Sequence, residues 1–246
     1  CEACSWLPLT LSCVCSCADA VAPLVTSVEL APGQAALTHV SLITVRVNVS
    51  EPVWGVSPAL FVVSGCGASG ISTTAAGSRT WLLSLNCTFS GVVTVAVNNS
   101  AASLLAVTDV AGNALVASAL TVSAEFDNNR VRVLSLRPIA GQPDPARLSP
   151  VVFNCTFSEK TVGVSSSSFS TAGSTATTGA VTVAALSAHS FQVSVVASGV
   201  GSVIVTVVAD GITDLASNSL AGPLPSSTVA FGKAPVCSVK RARGSR

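Results

Sequence analysis

Charge is the scarcest ingredient of this chain. Only 9% of its 246 residues are charged, histidine occurs twice and lysine three times. Long apolar runs are missing too, although 49% of residues are hydrophobic and the mean hydropathy is +0.67. No run reaches the ~18 residues a spanning helix needs, because Ser, Thr, Gly and Asn interrupt short Val/Ala/Leu stretches. A helical membrane protein is thereby excluded. So little charge with so much valine also excludes a coiled coil or a charged disordered chain. Five of the twelve basic residues (Lys233, Lys240, Arg241, Arg243, Arg246) sit in the last fourteen positions. The body keeps seven basic against eleven acidic residues, a net charge of −4, so it offers no basic surface for nucleic acid. The tail, residues 233–246, has the composition of a nuclear-import or polyanion patch. Next to the secretory features below it reads as a linker or fragment edge.

Five of the nine cysteines lie within the first seventeen residues. Cys1-Glu-Ala-Cys4 and Cys15-Ser-Cys17 lack the paired spacing and nearby histidine of a zinc site. Two readings of residues 1–22 stand side by side. Trp6-Leu-Pro-Leu-Thr-Leu-Ser-Cys-Val14 fits the apolar part of a secretion signal, with Ala18-Asp19-Ala20 as the cleavage site before Val21. The same segment equally fits the cysteine-rich end of a preceding module.

From Val21 onward the chain repeats itself. Val45-Arg-Val-Asn-Val-Ser-Glu51-Pro-Val-Trp-Gly-Val56 and Phe61-Val-Val-Ser64 return as Val152-Phe-Asn-Cys-Thr-Phe-Ser-Glu159-Lys-Thr-Val-Gly-Val164 and Phe169-Ser170, at an offset of 108. Trp81-Leu-Leu-Ser-Leu85 matches Phe191-Gln-Val-Ser-Val195, and Gly91–Val97 matches Gly201–Val207. Each copy closes on a similar turn, Thr108-Asp-Val-Ala-Gly-Asn-Ala-Leu115 and Thr213-Asp-Leu-Ala-Ser-Asn-Ser-Leu220, now at an offset of 105. Two modules of about 100 residues follow.

Within each copy the period is two. Val45, Val47 and Val49 alternate with Arg46, Asn48 and Ser50, and Val93, Val95 and Val97 with Thr94 and Ala96. β-Branched residues in this alternation mark half-buried antiparallel strands, and short strands about ten residues apart indicate a sandwich. Pro52 ends a strand and is expected to protect a sheet edge in the first copy, where the second has Lys160-Thr161. Gly112-Asn113 supplies positive φ for a tight turn that Asp109 or Asp214 caps, and Trp81 and Phe191 are expected to point inward.

Ser-Glu-Pro-Val-x-Gly-Val, then Phe-x-Val-Ser, then Thr-Asp-x-Ala-Gly-Asn-x-Leu resembles the bacterial-type Ig-like repeats of cell-surface and secreted proteins, which also occur in algal surface proteins. The resemblance covers residues 23–232. It implies an all-β chain of two tandem Ig-like antiparallel β-sandwich domains, 23–126 and 127–232, joined near residues 126–130. It also implies a spacer, display or adhesion role, with no catalytic residues to transfer. In the second copy Lys160-Thr161 replaces Pro-Val and Ser217 replaces the glycine.

Four N-x-[ST] sequons, at Asn48, Asn86, Asn98 and Asn154, are candidate glycan acceptors, Asn98 being favoured by its polar Asn98-Asn99-Ser100 surroundings. Cys66 and Cys87 flank the Gly/Ser/Thr-rich middle of the first module. A disulfide there would close a loop of about 20 residues and add about 3 kcal/mol, with two buried thiols as the alternative. Cys155 has no evident partner in its own module, and whether Cys237 joins it cannot be decided from spacing. Glu51, Asp109, Glu125 and Asp127 are the carboxylates available to a calcium ion near the domain junction, and solvated turns explain them equally. His39 and His189 lie in no nucleophile-elbow context and read as exposed polar positions. The expectation is therefore a non-enzymatic, cofactor-free extracellular protein. Its modules would be spacer or assembly units, and its partners other Ig-like modules, copies of itself or glycans. The competing class is a secreted hydrolase that uses the sandwiches as accessory binding modules.

Overall fold

The computed structural model describes residues 19–208 and 211–232. The cysteine-rich start through Cys17 and the tail with Cys237 lie outside the described residues. The chain divides into two compact units between Asn128 and Asn129.

In the first unit the period of two sets the architecture. Strand β3 (Leu42–Val49) buries Ile43, Val45, Val47 and Val49 and turns Thr44, Arg46 and Asn48 to the other face. It lies between β1 (Val25–Leu30) and β6 (Thr80–Asn86), and β5 (Ser69–Ala75) completes the order β1-β3-β6-β5, all antiparallel. The second sheet has the order β2-β8-β7-β4, from β2 (Leu37–Thr38), β8 (Thr121–Phe126), β7 (Gly91–Val97) and β4 (Phe61–Ser64). Its antiparallel pattern is broken once, where two-residue β2 runs parallel to β8. Val93, Val95 and Val97 of β7 join Val45, Val47, Leu83 and Leu85 in a single apolar layer. Each such side chain contributes about 1.5–3 kcal/mol by leaving water. Among the described residues helix is limited to short turns, the longest being α1 (Ala101–Leu105), capped by the Ser100 hydroxyl, which accepts from the Ser103 N–H.

The second unit repeats the plan. One sheet has the order β12-β13-β10-β9, from β12 (Thr177–Ala185), β13 (Ser190–Ser198), β10 (Val151–Phe157) and β9 (Val133–Pro138). The other has β11 (Phe169–Ser170), β14 (Gly201–Val207) and β15 (Ser226–Phe231) in the order β11-β14-β15. Phe157 and Phe191 meet edge-to-face with centroids 5.8 Å apart. Lettered A to G in chain order, these seven strands form an ABED sheet and a CFG sheet. In the first unit β1 and β3–β8 do the same, with short β2 added beside the last strand. This is the strand order of an immunoglobulin sandwich.

Two features of the repeated motifs acquire physical reasons. Gly55 and Gly163 have φ of +83° and +80°, and a Cβ on either would collide with a backbone carbonyl oxygen, that of Ala106 or Gly211. The segment after the B strand therefore presses directly on the segment before the closing turn, where Trp54 bridges Thr108 and Val162 bridges Thr213. Ser217 adopts φ +74°, the left-handed conformation that its counterpart Gly112 holds at +88°. The turn is preserved despite the substitution.

Cys66, which follows β4, and Cys87, which follows β6, are joined by a disulfide with Cα atoms 5.1 Å apart. It ties the C–D and E–F connections rather than strands B and F, as the bridge of antibody domains does. Two expectations need correction. Pro52 lies beyond the end of β3, an inner strand, and so protects no edge. Glu125 belongs to β8, paired with Val92, rather than to a linker.

Gly55→Ala or Gly163→Ala should destabilise the affected unit by at least ~2 kcal/mol, since strained φ and a backbone clash add. Ser217→Gly should stabilise the second unit by about 1 kcal/mol by relieving the left-handed strain. Calorimetry resolving the two unfolding transitions checks all three. Reducing Cys66–Cys87 should lower the first transition alone, by about 3 kcal/mol for a separation of 21 residues.

Candidate functional site

The densest polar chemistry of the first unit lies where its entry segment, the end of β3 and the closing turn converge. Asp19, Glu51 and Asp109 bring carboxylate oxygens within 4.8 Å of one another. Asp19 is exposed, Glu51 half-buried and Asp109 buried. Asp109 is held by its own turn: Oδ1 accepts from the Ala111 and Asn113 N–H groups, both at 2.8 Å, and Oδ2 from Asn113 Nδ2 at 2.8 Å. The Asn113 amide also donates to the carbonyls of Asp19 and Val21, at 3.0 and 3.2 Å. Asn113 thus fastens the entry segment to the closing turn. The second unit repeats the core of this latch. Asp214 Oδ1 accepts from the Asn218 N–H and Oδ2 from Asn218 Nδ2, each at 2.8 Å.

Burial acts to raise the Asp109 carboxyl, but the hydrogen bonds from Asn113, Ala111 and Gly112 together outweigh it and hold the group below its ordinary value. Three carboxylates at this spacing suit a hard cation, which wants six to eight oxygens. The expected calcium ligands are thus regrouped. Glu51 and Asp109 come together with Asp19, Glu125 is committed to β8, and Asp127 accepts a hydrogen bond from Ser90 Oγ at 3.3 Å. Sequence reasoning passed over Asp19 because it sits inside the Ala18-Asp19-Ala20 cleavage pattern. The signal was available: Asp19 and Asp127 stand 108 apart, the same offset as Glu51 and Glu159.

The histidines are not brought together with catalytic partners among the described residues. His189 occupies the exposed turn between β12 and β13, and its Nδ1 meets Ser187 Oγ at 3.1 Å and Ser190 Oγ at 3.3 Å. These contacts within one turn brace the hairpin. His39 is exposed between β2 and β3. An open depression of about 410 Å³ in the second unit is lined by Gln142, Pro143, Pro145, Arg147 and Leu148, which include neither a nucleophile nor a general base. Cys155 is fully buried in β10, and burial pushes its thiol up to about 12, so it packs as a small apolar group.

The four sequons stand in different surroundings. Asn48, in β3, donates to Ser27 Oγ at 2.8 Å and accepts from Thr80 Oγ1 at 2.8 Å, beside the Arg46–Glu29 ion pair at 2.9 Å. Asn154 lies in inner strand β10 with its Oδ1 buried. Asn98 uses its amide to donate to the Ala59 carbonyl at 3.1 Å and to accept from the Ser100 N–H at 3.1 Å. Asn86, at the end of β6 beside Cys87, is exposed.

No protein-family model matches the chain, and no curated protein matches it. Solved structures do. The N-terminal part of the bacterial S-layer protein SbsC aligns at 15% identity and TM-score 0.29, covering 87% of this chain and 45% of that one. This chain therefore spans under half the length of that S-layer fragment. The D0-D1 domain of intimin aligns at 14% identity and TM-score 0.29, covering 85% and 99%. InvD of Yersinia pseudotuberculosis aligns at 12% identity and TM-score 0.34, covering 84% and 57%. The Ig-like description of each unit rests on its own strand order.

Because the folded pKa of Asp109 is lowered, its contribution to stability is complete above the unfolded carboxylate value of about 3.9 and is lost as pH falls through the folded value. The first thermal transition should therefore fall as pH drops from about 5 toward 2. Asp109→Asn should flatten that dependence, as followed by calorimetry across the range.

Proposed function

We propose that the chain is a pair of bacterial-type Ig-like repeats serving as spacer or assembly units of an extracellular surface protein, wall, fibre or layer. The observation that carries this reading is the duplication itself. The same sandwich is built twice, and in each copy the B-strand exit is pressed on the closing turn by a glycine and that turn is latched by an Asp–Asn pair. Repetition of the same scaffold contacts is what a spacer requires. A hydrolase would need a nucleophile and base converging in a cleft. The disulfide supports an oxidising compartment. In a eukaryotic secretory route, the exposed Asn86 is the acceptor that the folded surface leaves most open.

Antibodies to the two units should label intact cells of the source organism without permeabilisation. Labelling only after permeabilisation would sink the reading. A carbohydrate and peptide substrate panel is expected to show no turnover, and turnover abolished by His189→Ala would return the chain to the hydrolases. Secreted from a eukaryotic host, the chain should lose an endoglycosidase-sensitive mass on Asn86→Gln.

A further inference from the structure

We propose that the free edge of β12 is a homophilic contact, pairing antiparallel with β12 of a second copy of this chain across a twofold axis through Thr182. The inference deepens the assembly reading above and rests on it for its biological meaning.

The other sheet edges of the second unit are short, charged or covered. Edge strand β9 ends in Arg137-Pro138, and β11 has two residues. β15 is met at its end by the loop at Ala146, which bridges Phe231, while Asp144 Oδ1 accepts from the Ala230 N–H at 3.0 Å. Strand β12 differs. It is nine residues long, lies at the end of its sheet and contains no charge and no proline. Such an edge is a template for another strand.

Hydrogen-bond alternation fixes which of its groups are free. In the β12–β13 hairpin the Leu186 N–H donates to the Ser190 carbonyl at 2.8 Å, so 186 and 190 form a hydrogen-bonded pair. Counting back by twos, 184 with 192 and 182 with 194 are also hydrogen-bonded pairs. The backbone N–H and C=O of Val181, Val183 and Ala185 therefore point away from β13, toward the free edge.

The occupant is identified by symmetry of sequence. Ala180-Val181-Thr182-Val183-Ala184 reads the same in both directions. With the axis at Thr182, Val181 of one copy exchanges both backbone hydrogen bonds with Val183 of the other, and the reverse pair does the same. The free groups of Val181 and Val183 thus meet at the centre of the contact, while Ala185 falls opposite Gly179 at its margin. The faces match as well: Val181 and Val183 are half-buried against the core, whereas Ala180, Thr182 and Ala184 are exposed. Valine thus meets valine on the inner face and threonine meets threonine on the outer. The ladder irregularity between Thr178 and Val181 confines the regular edge to the residues from Val181 on. The corresponding edge of the first unit, β5, has no such symmetry (Ser-Gly-Ile-Ser-Thr-Thr-Ala), and Gly70 interrupts it at φ +59°. An uncharged palindromic edge fits its own copy better than any charged strand. The result is an isologous contact.

Sedimentation of the whole chain over a wide concentration range tests this. A reversible monomer–dimer equilibrium is expected for the wild type. Thr182→Lys places like charges directly opposite across the axis, and should weaken association by at least about tenfold. Thr182→Glu should do the same. Because Thr182 is exposed, unchanged circular dichroism is expected for both variants. Mixing the two in equal amounts should restore a dimer containing one of each. Three results overturn the proposal: a wild type that stays monomeric throughout, in which case the edge is left to a strand of another protein; a dimer indifferent to both substitutions; or single variants that fail to rescue each other. Surface labelling and dimerisation vary independently, so loss of one leaves the other standing.

Discussion

Register is the constraint on which everything else in these units depends. With side chains alternating at a period of two, a one-residue slip of β3 against β6 would turn Val45, Val47 and Val49 to water and bring Arg46 and Asn48 into the core. Arg46 is paired with Glu29 and Asn48 with Ser27 and Thr80, all from neighbouring strands. A half-exposed ion pair such as Arg46–Glu29 adds little energy. Together with the amide network, however, it holds the polar face in the one alignment that keeps the apolar face intact. In a chain so poor in charge, these few polar groups act as alignment pins.

The two sheets must also be held against each other where strands give way to loops, and there the repeated motifs act. Gly55 lets the chain leaving β3 lie directly on the Ala106 carbonyl, and Gly163 does the same at Gly211. The closing turn then folds over its aspartate. A buried carboxylate is costly unless its oxygens are supplied with donors. Asp109 meets this condition with donors from its own turn, so the polar group that burial opposes becomes the reason the turn has one shape. The second copy keeps Asp214 and Asn218 but forces Ser217 into the left-handed region. Retention of the turn under that strain shows that the aspartate's donors, more than the glycine, define it.

The strands and the duplication were legible in the sequence because both are local. Alternation of Val with Thr or Asn requires no knowledge of neighbours, and a fixed offset requires only a second copy. What could not be read was whichever property depends on the order of strands in a sheet. Pro52 was expected to guard an edge, yet it follows an inner strand, since β3 lies between β1 and β6. Glu125 was taken for a junction ligand, yet it is a rung of β8. The environments of the sequons divide along the same line. Asn98 has a polar local sequence, but Ala59, thirty-nine residues earlier, takes its amide. Asp19 was hidden for the opposite reason, because a strong local pattern, the cleavage motif, drew attention from its offset to Asp127.

Scarcity of charge links the scaffold to the proposed assembly. A sheet edge is ordinarily kept from pairing by lysine, proline, a bulge or a cover. In the second unit arginine with proline, a covering loop and shortness each protect one edge, and the remaining one, β12, carries only Thr, Gly, Ala and Val. Its irregularity between Thr178 and Val181 guards the first part of the strand and leaves Val181–Ala185, which includes Thr182 and its two flanking valines. Hydrogen bonds so few give weak association for one pair of copies. Weak contacts repeated along a surface, however, bind through effective concentration, because each pairing holds the next within reach. Low affinity per contact is therefore compatible with a stable array, and leaves separate copies free to remain dispersed until they are held side by side.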